Sequence, residues 1–572
     1  MRFKKSILSL VLSICLFVSG CNSFSIPTNA DAAFENFTLN LFRQDVASST
    51  LGLHYTLQNP SVYGIENTPI TFGSFDVNET GALASIENCE AVLQKFSYKS
   101  LSKENQLTYD VLSSYLETAK KGISFSLYEE PLSPITGIHA QLPVLLAEYS
   151  FFSEQDVKTY LALIETTPEY FSSLISFERK KADAGLFMAD YVVDQVIEQC
   201  NAFICMGDEN YLLSTFEERL DALDVLSSSS RDDYISQNKL LLERAILPAY
   251  EQLVSALSEL RSNGKNGQGL CYLPNGKEYY TYLVERESGS SRSVEEILSL
   301  IQEQIAADLL DLQQILTENP TASEQTSSSV SSSPSAILMD LKSSISSAFP
   351  SPEDVNVEVK YVPDALEPYL SPAFYLIPSI DNTSENVIYI NQAHSLDDIH
   401  LFTTLAHEGY PGHLYQTTYY AATNPDPLRT LFSFKGYVEG WATYAEMCSY
   451  YLSSLDKPYA TLLQKNNSLI LGLYALADIG IHYGGWSVER TIEFFRTYGI
   501  EDEATIQAIY QLIIGDPANY LSYYVGYIEI LELKKEMIKT NGDSFSQKEF
   551  HQKLLDVGPA PFDIVKKMLN GT

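Results

Sequence analysis

Between residues 294 and 316 the apolar positions Ile297, Ile301, Ile305, Leu309, Leu312 and Leu316 recur at steps of three or four, the spacing that lines one face of a helix. Ser293 with Glu296 supplies a capping box at its start. Helical patterns also predict helices within 80–120, 155–200 and 210–260, and again from about residue 395 to the end. A β-like patch interrupts them: VNVEVKYV (355–362), AFYLI (373–377) and NVIYIN (386–391) are short, β-branched and aromatic runs. The predicted fold class is therefore mainly α, a large helical body with a small β-sheet. Asn319-Pro320 and the Ser-rich run 321–335 predict an exposed loop, which divides a helical region 34–320 from a second region 336–572. No repeat of fixed period is present.

The first residues read as an address. Arg2, Lys4 and Lys5 precede the twelve-residue apolar stretch Ile7 to Val18, which is too short to span a bilayer as a helix. Val18-Ser19-Gly20-Cys21 then resembles a bacterial lipobox, cut before a cysteine that carries lipid. Residues 1–20 are thus expected to be a lipoprotein signal peptide, 21–33 a linker, and Cys21 the lipidation site. That places the protein on the extracytoplasmic face of a bacterial membrane.

Charge narrows the partners. With 37 Lys plus Arg against 73 Asp plus Glu, the chain carries a formal charge of −36. Losing the signal removes three cations and no anions, giving −39. Such a surface repels nucleic acid and anionic lipid. Small molecules, peptides and cations remain. The 45% hydrophobic content belongs to a folded chain, and the 38 Tyr read as half-buried helix surface. Beyond Cys21 the five cysteines are Cys89, Cys200, Cys205, Cys271 and Cys448, a scattered set that is not a disulfide framework, although Cys200 and Cys205 are close enough in sequence to pair.

The chemistry concentrates in the second half. Ser395 with Asp398 opens a predicted helix whose apolar face, Ile399, Phe402 and Leu405, leads into LAHEGYPGHLYQ (405–416). His407-Glu408 followed by His413 resembles the zinc-peptidase pattern HExxH, in which two histidines bind Zn²⁺ and the glutamate acts on water. Here the histidines are six apart, which at about 100° per residue leaves them roughly 120° apart on an ideal helix. Pro411 lacks an amide donor and crowds the carbonyl four residues back, so the helix must bulge or restart, bringing His413 beside His407. A catalytic zinc takes three protein ligands and keeps one open position. Glu439 and Glu446 in GYVEGWATYAEMCSYYL (436–452) lie two turns apart on one face of an otherwise apolar helix. Glu439 is the expected third ligand and Glu446 the residue that orients a histidine from behind.

HEGYPGH, YVEGWATYAE, ADIGIHYGGWS (477–487) and DPANYLSYYVG (516–526), with the earlier SPITGIHAQLP and GLCYLPNGKEYY, resemble the bacterial domain-of-unknown-function family 885 over nearly the whole chain after the signal. That family in turn resembles zincin, specifically gluzincin-like, metallopeptidases with an HExxPGH motif. The resemblance implies a zincin-like helical body with the sheet beside the active-site helix. It also implies one Zn²⁺ at His407, His413 and Glu439, with Glu408 as general base. Tyr523 and His482 are carried over as oxyanion donors; the alternatives are packing for Tyr523 and, for His482, a core histidine bonded to Asp478 one turn back, which is also the candidate supporting carboxylate. Departures occur around residue 517. The family pattern reads Pro-Gly-Gln-Ala there, with an Arg before and a Lys after the Tyr, whereas this chain has Pro517-Ala518-Asn519-Tyr520, no nearby Arg, and Tyr524 in the place of the Lys. The Arg that usually precedes the DxGxH segment is also missing, with Leu471 to Tyr474 in that region.

The expected function is that of a zinc-dependent peptidase cleaving oligopeptides, since Zn²⁺ lowers the pKa of its water to about 7 and Glu408 can take the proton. The strand 387–391, just before the active-site helix, is expected to be an edge strand that pairs with a peptide. Lys435 and Arg490 are the cations available for a terminal carboxylate. Two alternatives share the same residues: an exported peptide- or ligand-binding lipoprotein with a structural or vestigial metal site, and a metal-dependent amidase on non-peptide substrates.

Overall fold

The computed structural model describes residues 29–571 except 135, 224, 225, 265, 321–332, 363–366, 368, 369, 395 and 396. The proposed signal, Cys21, Ser395 and nearly all of the Ser-rich run lie outside the described residues.

The molecule is mainly α-helical. In the first half, the range 155–200 resolves into Glu154–Glu165, Thr167–Asp183 and Asp190–Cys205, with Pro168 at the start of the second and Gly185 after it. Helix α1 (Gly276–Ser288) and α2 (Val294–Glu318) complete that half, and the Ser293–Glu296 capping box is formed in both directions.

Strands β1 (Asn356–Tyr361), β2 (Ala373–Leu376) and β3 (Glu385–Ile390) follow as one sheet of order β1-β3-β2. β3 pairs parallel with β1 and antiparallel with β2. The strand expected at the edge is therefore the central one. Its Ile388, Tyr389 and Ile390 are all buried, as a strand flanked on both sides requires, and the edges fall to exposed β1 and to β2.

The site helices come next: α3 (Asp398–Glu408), α4 (His413–Ala422), α5 (Lys435–Ser449), α6 (Lys457–His482), α7 (Asn519–Asn541) and α8 (Gln547–Val557). The N-cap of α3 is Asp397, whose carboxylate accepts from His400 N–H. α5 and α7 approach each other closely through glycines. A Cβ on Gly440 would lie 2.4 Å from Gly526, and one on Gly526 would lie 2.0 Å from the Gly436 carbonyl oxygen.

One hydrophobic core joins Phe34, Tyr280 and Ile297 to Trp441, Tyr524 and Leu554, so it draws on both sides of the Ser-rich run. A second occupies the bundle around Tyr160, Phe216 and Tyr250. Tyrosine does more than cover helix surfaces. Tyr250, Tyr415 and Tyr437 are fully buried and donate to the carbonyls of His139, Pro350 and Leu554, so the hydroxyl is satisfied without water. Cys200 is buried and Cys205 exposed, and both are free thiols, so the possible pair does not form. Among the described residues no helix is long and apolar enough to cross a membrane.

Candidate metal centre

α3 stops at Glu408, and α4 starts afresh at His413. The turn between them contains the cis Tyr410–Pro411 peptide and packs so tightly that a Cβ on Gly412 would stand 1.8 Å from the His407 carbonyl oxygen. Only glycine fits there. Trp441 of α5 ties the turn down, its indole N–H donating to the Pro411 carbonyl at 2.9 Å. The restart, inferred from Pro411, brings the two imidazoles to 4.9 Å between ring centres at 82°.

Glu439 of α5 faces both. Its Oε2 lies 3.3 Å from His413 Nε2 and 3.7 Å from His407 Nε2. Ligands about 2.0–2.1 Å from a tetrahedral zinc would be separated by roughly 3.3–3.4 Å. On the far side of His407, Nδ1 lies 3.1 Å from Glu446 Oε2, and Asn467 Nδ2 donates to the other Glu446 oxygen at 2.9 Å. A histidine that donates from Nδ1 to a carboxylate presents a bare Nε2 lone pair, here toward another carboxylate oxygen. Two lone pairs facing each other at that range require a proton or a cation between them, and the donor set fits a divalent metal.

The same electrostatics appears in the titration of these groups. Burial lowers the His407 pKa, but hydrogen bonds to Glu439 and Glu446 and the charge of Glu408 outweigh it and hold the imidazole well above its ordinary value. Burial raises the Glu439 pKa, yet the His413 charge and the hydrogen bonds to both histidines hold it well below the carboxylate range.

Glu408 also offers a carboxylate oxygen to this group, within 4.8 Å of the ligand atoms of both histidines. Its Oε2 accepts from the Tyr375 backbone N–H of edge strand β2 at 2.8 Å. Glu439 brings one oxygen to 3.3 and 3.7 Å from the two Nε2 atoms, and Glu408, held by the sheet, stands beside it.

Tyr523 of α7 stacks on His407, with ring centres 6.3 Å apart. The Glu439 charge, then burial, pushes its phenol well above the ordinary value, so it stays protonated and able to donate. His482 is placed elsewhere. Its Nδ1 accepts from Leu270 N–H at 3.1 Å and its Nε2 donates to the Ile513 carbonyl at 2.9 Å. Burial lowers its pKa to about 4. With both nitrogens engaged by backbone and the ring buried, it has no donor for an oxyanion, which corrects the role carried over by resemblance. Asp478 likewise supports no metal ligand. It accepts from Tyr280 Oη at 2.6 Å and from Ala518 N–H at 3.1 Å, and burial raises it to about 7.

Of the two cations considered for a carboxylate, Arg490 pairs with Glu493 on the surface, away from the cleft, whereas Lys435 lines it. Lys435 Nζ donates to Asn519 Oδ1 at 2.6 Å and lies 3.7 Å from Glu287. The centre opens into a cleft of about 3400 Å³ lined by residues from both halves of the chain. Sequence reasoning missed Asn467, the Tyr375 amide and the Trp441 indole. A spacing signal existed for the helix contact, Gly436 and Gly440 being four apart, but backbone donors leave none.

The family described as "Bacterial protein of unknown function (DUF885)" matches residues 76–569. The chain belongs to the DUF885 family. Among solved structures, this DUF885 chain is similar to a "putative lipoprotein" from Colwellia psychrerythraea, with TM-score 0.82 and 18% identity over 95% of this chain and 99% of that one. It is also similar to a "putative lipoprotein of unknown function" from Shewanella oneidensis, with TM-score 0.64 and 17% identity over 96% and 100%. At such identities the likeness establishes the shared fold. No curated protein matches the chain.

Proposed function

We propose that this DUF885 protein is a zinc-dependent hydrolase that cleaves peptide bonds, tethered by lipid at Cys21 to the extracytoplasmic face of a bacterial membrane. The observation that carries the reading is the convergence of His407 Nε2, His413 Nε2 and Glu439 Oε2, with His407 backed by Glu446. His407, His413 and Glu439 would hold the metal. Bound there, Zn²⁺ would supply Lewis acidity and lower the pKa of a water to about 7.

The chain's own groups then divide the work. Glu408, held by the Tyr375 amide, would accept a proton from the attacking water and return it to the leaving amine. Tyr523, whose ring stacks on His407, would donate to the carbonyl oxygen as charge develops on it. Glu446 fixes the His407 tautomer. The breadth of the cleft suits an oligopeptide better than a small ligand, whose sites run to about 300–1,000 Å³. The test is cleavage profiling on a mixed peptide library with and without chelator. Chelator-sensitive cleavage supports the reading, whereas binding without turnover would favour a receptor.

A further inference from the structure

The cleft is acidic well beyond the metal centre. Among the described residues lining it are seventeen Asp and Glu against six Lys and Arg, and fourteen acids remain when Glu408, Glu439 and Glu446 are set aside. The cations are already engaged. Lys121, Arg286, Arg292 and Lys435 each lie within 3.7 Å of a carboxylate, while Arg43 and Arg429 donate to backbone carbonyls. Several acids face water: Glu66, Asp76, Glu104, Glu117, Glu296 and Asp563 are exposed. Low-dielectric walls around charge of one sign focus the field and concentrate the opposite charge inside.

A second, independent feature concerns the peptide backbone. Gln416 lines the cleft on α4, one turn beyond His413, and is only 4% exposed. Its carboxamide Nε2 meets no acceptor among the described residues. A buried donor left without an acceptor is costly, so it favours a ligand that brings a carbonyl oxygen.

We infer that the cleft takes a cationic, Lys- or Arg-rich oligopeptide, whose side chains are drawn by the acidic lining and one of whose backbone carbonyls accepts from Gln416 beside the metal centre. This rests on the hydrolase reading only for placing the scissile bond; the binding stands separately. Among the described residues the lining holds no unengaged cation, which disfavours acidic peptides and recognition through a terminal carboxylate alone.

The test is fluorescence anisotropy on the full, zinc-loaded chain carrying Glu408→Gln, with two labelled peptides of equal length that alternate Ala with either Lys or Glu. The Lys peptide should bind at least about tenfold tighter at low ionic strength, with the gap closing as salt is raised. Gln416→Met should weaken binding of the Lys peptide about fivefold while leaving its salt dependence unchanged, because that contact reads backbone. Equal affinity for the two peptides, or preference for Glu, overturns the inference, as does a Gln416→Met chain that binds as tightly as its parent. Parallel turnover by the unsubstituted chain separates the two claims. Charge-selective binding without cleavage would sink the hydrolase reading alone, and cleavage of both peptides at equal kcat/KM with equal binding would sink the substrate class alone.

Discussion

His407 is held between two carboxylates: its Nδ1 lies 3.1 Å from Glu446 Oε2, and its Nε2 lies 3.7 Å from Glu439 Oε2. The first contact fixes the tautomer that the second requires. Glu446→Gln retains a hydrogen-bonding group but loses the charge, so it should weaken zinc affinity by about 10- to 100-fold while leaving the stoichiometry at one. Titration against a competing chelator measures it. Unchanged affinity would remove Glu446 from the account.

Ala518 sits in the left-handed region, at φ 62°. Its amide is held by Asp478, which anchors the start of α7 and hence the placement of Asn519 and Tyr523. The non-glycine residue is strained there by about 1 kcal/mol. Ala518→Gly should raise the unfolding free energy obtained from a denaturant titration by that order and leave kcat/KM within about twofold. A destabilised Gly variant would show that the Ala methyl packing matters more than the strain.

His482 gives a pH dependence with a definite sign. Folded, it is lowered to about 4; unfolded, it titrates at 6.5. Between those values the unfolded chain binds more protons, so this contribution to stability is present above pH 6.5 and lost as pH falls toward 4. His482→Asn keeps a side-chain acceptor for Leu270 N–H and removes the titration. It should lower stability at neutral pH by about 1–3 kcal/mol, flatten the acid slope, and change kcat of the folded protein by less than about threefold. A 100-fold loss of kcat in a stable variant would return His482 to the chemistry.

Much of this was legible in the residues. Pro411 announced the helix restart, and the seven-residue spacing of Glu439 and Glu446 put both on the face that meets His407. The small sheet appeared as three strands at the right places. What remained hidden depends on long-range neighbours. That β3 is central follows from the order in which β1 and β2 flank it, which no single strand encodes. The role of His482 was set by the Leu270 amide, 212 positions away, and by the Ile513 carbonyl. Buried tyrosines looked like surface ones because their distant backbone acceptors are invisible in a periodic pattern.

The glycine contact between α5 and α7 sets the spacing of the two helices that carry Glu439 and Tyr523. Gly440→Ala forces a methyl to within 2.4 Å of Gly526. Overpacking of this kind costs about 1–3 kcal/mol and should separate the two helices. A lowered Tm together with reduced kcat is expected, and paired replacement should not be additive with Tyr523→Phe. Additive effects would mean that the helix spacing acts on stability alone.

The proposed hydrolysis requires Glu408 to move the proton while His407, His413 and Glu439 hold the metal. Zinc content and peptide hydrolysis should therefore be measured side by side on purified Glu408→Gln and His413→Ala chains. Glu408→Gln should keep one zinc and lose nearly all hydrolysis, by about 10²- to 10⁴-fold, whereas His413→Ala should lose both. Undiminished turnover in a pure, zinc-loaded Glu408→Gln chain would contradict it.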